Sequence, residues 1–314
     1  MAIFHSVFVV INRLSLCLAI TARTSSALTI SVRENRTLKE RETRTLEQTP
    51  ALAILEDLVP NGIRFGASYL VEFGPDSPWY ETSLTIAASA LRNGARTEYH
   101  TYMHPPHEVR DSLTKLGLNV RELEQKDYLR ILDTYDVMTG LAHPETPEGM
   151  RSKGREAYEH QSFDLNHWSS RVVNIIREGV SEDEKRWLHI DDNTSVMCHY
   201  TDEKLMIDIW RTRIIPYAKM RGLAMFHSVM MGIASDSFYK QFESLCDGII
   251  EFRTGDEGGQ VQHFARVRTL RGMSSDNRWR QLQLQNNGSV TIDADSKPRE
   301  LGIGGWLKGP KKSR

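Results

Sequence analysis

Between Ala51 and Asp293 short apolar runs alternate with stretches of helical period. Ser68–Phe73 (SYLVEF) reads as a strand that leads into a Gly/Pro-rich turn, and Thr82–Arg92 then places Leu84, Ala87, Ala88 and Leu91 on one helical face before Asn93-Gly94 stops it. Thr97–Tyr102 predicts a second strand, Glu108–Leu116 a helix closed by Gly117, and Leu129–Thr134 a third strand. Leu141–Gly154, with Pro144 and Pro147, reads as a loop or insertion. Helical spacing of Leu165, Trp168, Val172 and Ile176 predicts a helix over Asp164–Arg177. Ser195–His199 reads as a strand, Glu203–Lys219 as a helix, Gly222–Val229 as an apolar strand, Phe238–Cys246 as a helix and Gly248–Phe252 as a strand. The rhythm then changes. Val261–Leu270, Gln281–Gln285 and Ser289–Ile292 are short alternating runs parted by Gly and Asn, the pattern of an antiparallel meander.

Strands alternating with helices require crossover connections, so the expected fold is α/β, a mostly parallel central sheet flanked by helices with an antiparallel C-terminal edge. The domain is expected over 51–294, with an extension at 1–50 and a Gly- and Lys-containing tail at 295–314. Met1–Ile20 is apolar, but His5, Asn12 and Arg13 interrupt it, so no stable membrane span is expected. Leu14–Ala22 followed by small residues imitates a secretory leader, and an upstream extension with no folded role fits equally. Ser31–Thr49, crowded with both signs of charge, reads as a solvated linker or an exposed helix.

The chain has 314 residues, and Lys+Arg 40 against Asp+Glu 41 leaves a net charge of −1, which speaks against a nucleic-acid binder held by charge alone. Cys17, Cys198 and Cys246 lie far apart without a C-x-x-C pair, which fits a reducing, cytoplasmic setting better than a disulfide scaffold. His100, His104 and His107, with Cys198-His199, could supply zinc ligands, but their spacing matches no ligand pattern, so an exposed loop with scattered histidines is expected and no metal.

In an open α/β sheet the first strand–turn–helix is where a phosphate usually sits. Here it reads Phe73-Gly74-Pro75-Asp76-Ser77-Pro78-Trp79-Tyr80-Glu81-Thr82. With Ser68–Glu72 before it and Leu84-Thr85 and Arg92-Asn93-Gly94 after it, this region resembles the opening of the KaiC-like branch of the RecA-superfamily P-loop ATPases. Pro106-His107-Glu108-Val109 with Leu116-Gly117-Leu118, then Leu129–Tyr135, Cys246–Phe252 and Arg271-Gly272 match later parts of that family in the same order. The resemblance covers Ala51 to Asp293 and implies a RecA-like P-loop NTPase fold.

A working P-loop needs glycines that let backbone N–H groups approach the phosphates, a lysine for the β/γ oxygens and a Ser/Thr hydroxyl for magnesium. With Thr82 as that hydroxyl, the lysine position holds Glu81 and the preceding glycine is Tyr80; with Gly74 as first glycine, the lysine position holds Tyr80 and the hydroxyl position Glu81. Neither register works. Glu81 reverses the local charge beside a polyanion, and Pro75 and Pro78 remove two N–H donors. The metal-holding Asp that the family places after the strand matching Ser195–Met197 corresponds to His199 or Cys198, with Asp202 as a displaced substitute; its paired glutamates map near Met103 and His104. The Lys-x-Arg-Gly turn appears as Thr269-Leu270-Arg271-Gly272, so Arg271 is a candidate contact to a neighbouring subunit's phosphate. Trp79 and Tyr80 are expected to fill the vacated pocket.

The resemblance therefore implies a degenerate member: no catalytic residue, no cofactor, and a regulatory or signalling role through contacts with itself, with paralogous KaiC/RecA-like subunits or with a signalling protein. Two alternatives stay open. One is an ATP- and magnesium-binding enzyme with an atypical loop, in which Thr82 and Asp202 share the metal. The other is a DNA-associated RecA relative using Lys308, Lys311, Lys312 and Arg314.

Overall fold

The computed structural model describes residues 52–59, 62–135, 165–179, 187–257 and 259–293. The 1–50 extension, the 295–314 tail and the Leu141–Gly154 loop lie outside the described residues. Six strands run parallel: β1 (Ser68–Phe73), β2 (Arg96–Thr101), β3 (Leu129–Asp133), β4 (Trp187–Asp191), β5 (Ala224–Met230) and β6 (Gly248–Glu257). Strands β7 (Gln260–Leu270), β8 (Arg280–Leu284) and β9 (Val290–Ile292) continue as an antiparallel meander. Together they form a nine-stranded sheet of order β3-β2-β4-β5-β1-β6-β7-β8-β9, so the expected fold class is the one observed.

Each residue of β1 is buried, and its alternating side chains enter two separate cores. Tyr69, Val71 and Phe73 pack with α2 (Trp79–Arg92) through Leu84, Ala87, Ala88 and Leu91, and with Val109 and Leu113 of α3 (Pro106–Lys115). Two short helices belong to the same layer, α1 (Ala53–Leu58) and α4 (Val120–Gln125). Leu70 faces the other way, toward Trp168 and Val172 of α5 (Leu165–Gly179), Met206 of α6 (Glu203–Ile209), Ala218 of α7 (Ile215–Arg221) and Phe238 and Phe242 of α8 (Asp236–Leu245). A π-helical turn, Trp210–Ile214, joins α6 to α7 just before Pro216, whose missing N–H breaks the regular ladder. The widened turn buries Trp210 in the second core.

One expected strand is wrong. Thr194–His199 is a 3₁₀ helix, and the strand of this region is β4. The Thr194 hydroxyl donates to Asp191 Oδ2 at 2.5 Å and Ser195 Oγ to Asn193 Oδ1 at 2.6 Å, local bonds that compete with a strand ladder. Helices α1 and α4 were not foreseen either; Asn119 caps the latter by accepting from the Glu122 N–H.

Strand β6 starts at Gly248, where a Cβ would lie 2.6 Å from Tyr69 Cδ1 and 2.7 Å from Leu270 Cδ2. Further along, Arg268 serves three carboxylates, at 3.1 Å from Glu72 and Glu251 and 2.8 Å from Glu243, while Glu251 also pairs with Arg266. Burial pushes the Glu72 carboxyl up to about 7, against the pull of Arg268 and with help from Glu243 and Glu251.

Gly248→Ala is expected to cost roughly 1–3 kcal/mol, read as a lower urea midpoint, because neither ring nor isobutyl group can retreat from a packed core. Glu72 has a folded-state value above its unfolded one, so its contribution is complete at low pH and is lost as pH rises through about 7. Urea titrations from mildly acidic to mildly basic pH should therefore show the native chain losing roughly 1–3 kcal/mol relative to Glu72→Gln.

Candidate functional site

Strand β1 ends at the middle of the sheet, and its carboxyl end opens onto the turn Gly74–Pro78. The turn is fastened at several points. The Gly74 N–H donates to Phe252 O at 3.2 Å, the Ser77 N–H to Gly74 O at 3.0 Å, and Thr254 Oγ1 to Asp76 O at 2.9 Å. Pro78 occupies the N-cap of α2 and offers no side-chain cap. Helix α2 begins at Trp79, which is 1% exposed, with ring centroids 6.3 Å from Phe73 and 5.2 Å from Phe252. The indole is thus driven under the turn as part of the first core.

Tyr80 stacks on His104 at 3.6 Å and 13°, and burial raises its phenol to about 12. Thr82 is fully buried, its hydroxyl donating back to Pro78 O at 2.6 Å. That hydroxyl is used within its own helix.

The carboxyl end of β4 carries two acids that the sequence reading passed over. Asp191 Oδ1 accepts from the Thr194 and Ser228 N–H groups at 3.2 and 3.0 Å, and both of its oxygens take hydroxyl bonds, from Ser228 and Thr194. Those bonds and His227 hold its carboxyl below the usual range although burial opposes them. Asp192 accepts the backbone N–H groups of Tyr102, Met103 and His104 and lies 3.0 Å from His104 Nδ1. Burial nevertheless raises its carboxyl above the ordinary value. The result is an Asp192–His104–Tyr80 stack across the carboxyl ends of β4 and β2 and the start of α2.

Other expected site residues are elsewhere. His199 is exposed at the last turn of the 3₁₀ helix, beyond Asp191 and Asp192 and off the strand end where it was expected. Asp202 caps α6, accepting from the Leu205 N–H at 3.0 Å. Arg271 follows β7, whose Leu270 pairs with Gly248, so it lies at the amino-terminal edge of the parallel strands, opposite the Gly74–Pro78 turn. Its guanidinium donates to Ser244 O at 2.8 Å.

The histidine expectation also needs correcting. His104 and His107 are half-buried and exposed, but His100 is 1% exposed within β2, on the second core. Among the described residues, the side chains close enough to share a metal are Glu98, His100 and His189, and His189, Asp191 and His227. The missed signal was the apolar run Trp187-Leu188-His189-Ile190 closed by Asp191-Asp192.

No protein-family model matches the chain, and no curated protein does. Among solved structures, a KaiC-like protein from the hyperthermophilic archaeon Pyrococcus horikoshii superposes with a TM-score of 0.59 at 9% identity, over 79% of this chain and 99% of the other. The fold is KaiC-like. The turn, the β4 acids and the stack therefore occupy the strand ends of a KaiC-like α/β sheet.

Asp192→Ala would strip the acceptor from three backbone N–H groups. A loss of about 3 kcal/mol, or a Tm lower by roughly 6–12 °C, is expected by thermal denaturation. A carboxylate kept free for a ligand would instead leave Tm unchanged or raise it when removed.

Proposed function

We propose that this chain keeps a KaiC-like fold without turning over nucleotide, and that it acts as a regulatory or signalling protein through protein–protein contacts. The observation that carries the reading is the start of α2, where Trp79 packs against Phe73 and Phe252 and Tyr80 stacks on His104. Phosphate binding at a helix N-terminus needs open backbone N–H groups and a nearby cation. Here Pro75 and Pro78 lack the N–H, Tyr80 and Glu81 lie where lysine and hydroxyl would be in the Gly74 register, and the Thr82 hydroxyl bonds Pro78 O. By this reading the residues do not fit ATP with its magnesium ion.

The contacts would be with other copies of the chain, with paralogous KaiC-like subunits, or with a signalling protein. Arg271, at the sheet edge opposite the chain's own turn, suits a contact in trans with a neighbour's nucleotide. A cytoplasmic location belongs to the same reading. Among the described residues no helix is long and apolar enough to cross a membrane.

One observation favours the ATP-binding alternative: two aspartates end β4, where a metal-holding acid would be expected. Their carboxylates are already taken up by Thr194, Ser228, the Tyr102–His104 backbone and His104. The DNA-associated alternative rests on a basic tail outside the described residues.

Calorimetry with Mg-ATP tests the proposal. No heat is expected up to millimolar nucleotide. Micromolar binding, or ATP consumption abolished by Thr82→Ala, would overturn it in favour of the enzyme. Salt-sensitive binding to DNA would favour the third reading.

A further inference from the structure

The second core contains a strip of ionisable groups that the candidate site does not use. Pairing of β2 with β4 sets Glu98 opposite His189 and His100 opposite Asp191, and His227 of β5 comes next. All five side chains are buried. They lie beneath the aromatic layer of the covering helices: the Trp168 ring stands edge-on to His100, and the Trp210 indole N–H donates to His227 Nδ1 at 3.3 Å.

We propose that Glu98, His100 and His189 together hold a divalent transition-metal ion, with zinc the best chemical match, between β2 and β4. Glu98 Oε1 lies 3.1 Å from His100 Nε2 and 3.2 Å from His189 Nδ1, and the two imidazole rings are 4.2 Å apart. Zinc bonds of about 2.0–2.2 Å to nitrogen and oxygen put the donors of a tetrahedral site roughly 3.3–3.5 Å from one another. Both carboxylate–imidazole separations therefore need to lengthen by only a few tenths of an ångström to admit the ion, and the three donor atoms lie within 4.8 Å of one another.

Charge balance points the same way. Glu98 and Asp191 are two buried carboxylates, and the ionisable groups acting most strongly on them are His100, His189 and His227, with no lysine or arginine among these. A buried carboxylate is costly unless charge or hydrogen bonds offset it, and a divalent cation supplies such a charge.

Around these donors the strip is only partly hydrogen-bonded, since His100 Nδ1 and His227 Nε2, which are not donors of the site, are buried without a hydrogen-bond partner. Asp191 is less suited to direct ligation because Thr194 and Ser228 already occupy it. The inference is independent of whether the first turn binds nucleotide.

The burial means the ion enters as the chain folds, so the test is made on refolding. The full chain is unfolded in guanidinium, stripped with chelator, and refolded with or without Zn²⁺ or Co²⁺. Near-stoichiometric metal after desalting, visible Co²⁺ ligand-field bands and a Tm raised by several degrees are expected. Glu98→Gln and His189→Gln should lose the bands and the shift, while His107→Gln and His199→Gln, both exposed, should keep them. Should the buried variants fail to fold, the native chain's Tm with and without metal still decides. Negligible retained metal with an unchanged Tm would overturn the site and leave a hydrogen-bonded core. So would cobalt bands that survive Glu98→Gln or vanish with the exposed histidines.

Discussion

Everything at the carboxyl edge of the sheet depends on β1 being buried on both faces. Its backbone is tied to β5 on one side and β6 on the other. Alternate side chains therefore belong to different cores, with Tyr69, Val71 and Phe73 in one and Leu70 in the other. A slip of one residue would exchange the two sets and bring Glu72 into the apolar face under α2, so the register is strongly held. That fixed register determines where Phe73 ends and where Trp79 enters. The indole then completes the core that begins with Phe73 and Phe252.

The same constraint explains the character of the strand ends. In open α/β sheets these ends offer free backbone and side-chain groups to a ligand. Here they are largely turned toward one another. Asp191 ties β4 to Ser228 of β5, and Asp192 gathers the backbone that follows β2. Tyr80 closes over His104 from the start of α2. Polar groups at these strand ends thus stabilise the junction between three strands and a helix.

The second core is unusual for carrying Glu98, His100, His189, Asp191 and His227 beside Trp168 and Trp210. Buried ionisable groups are retained only when something repays their lost hydration. Hydroxyl and backbone donors do so for Asp191. Glu98 meets two imidazoles, both at its Oε1.

Local periodicity was enough to read β1, α2, β2, α3, α8 and the closing meander, because each carries its own pattern and a Gly, Asn or Pro lies close behind it. It failed at β4, where burial on both faces removes the alternation, His189 breaks the apolar run and the charged stretch Glu182–Arg186 precedes it. With β4 unseen, Asp191 and Asp192 were missed and His199 took their place. His100 was misread beside His104 and His107 because the sequence shows their nearness along the chain, whereas its partner His189 lies 89 residues away. That the turn from Gly74 to Thr82 holds two prolines and no lysine or arginine is a fact of the sequence itself. Which groups meet across β2, β4 and β5 was decided only by strand pairing, because register joins residues that no spacing along the chain brings together.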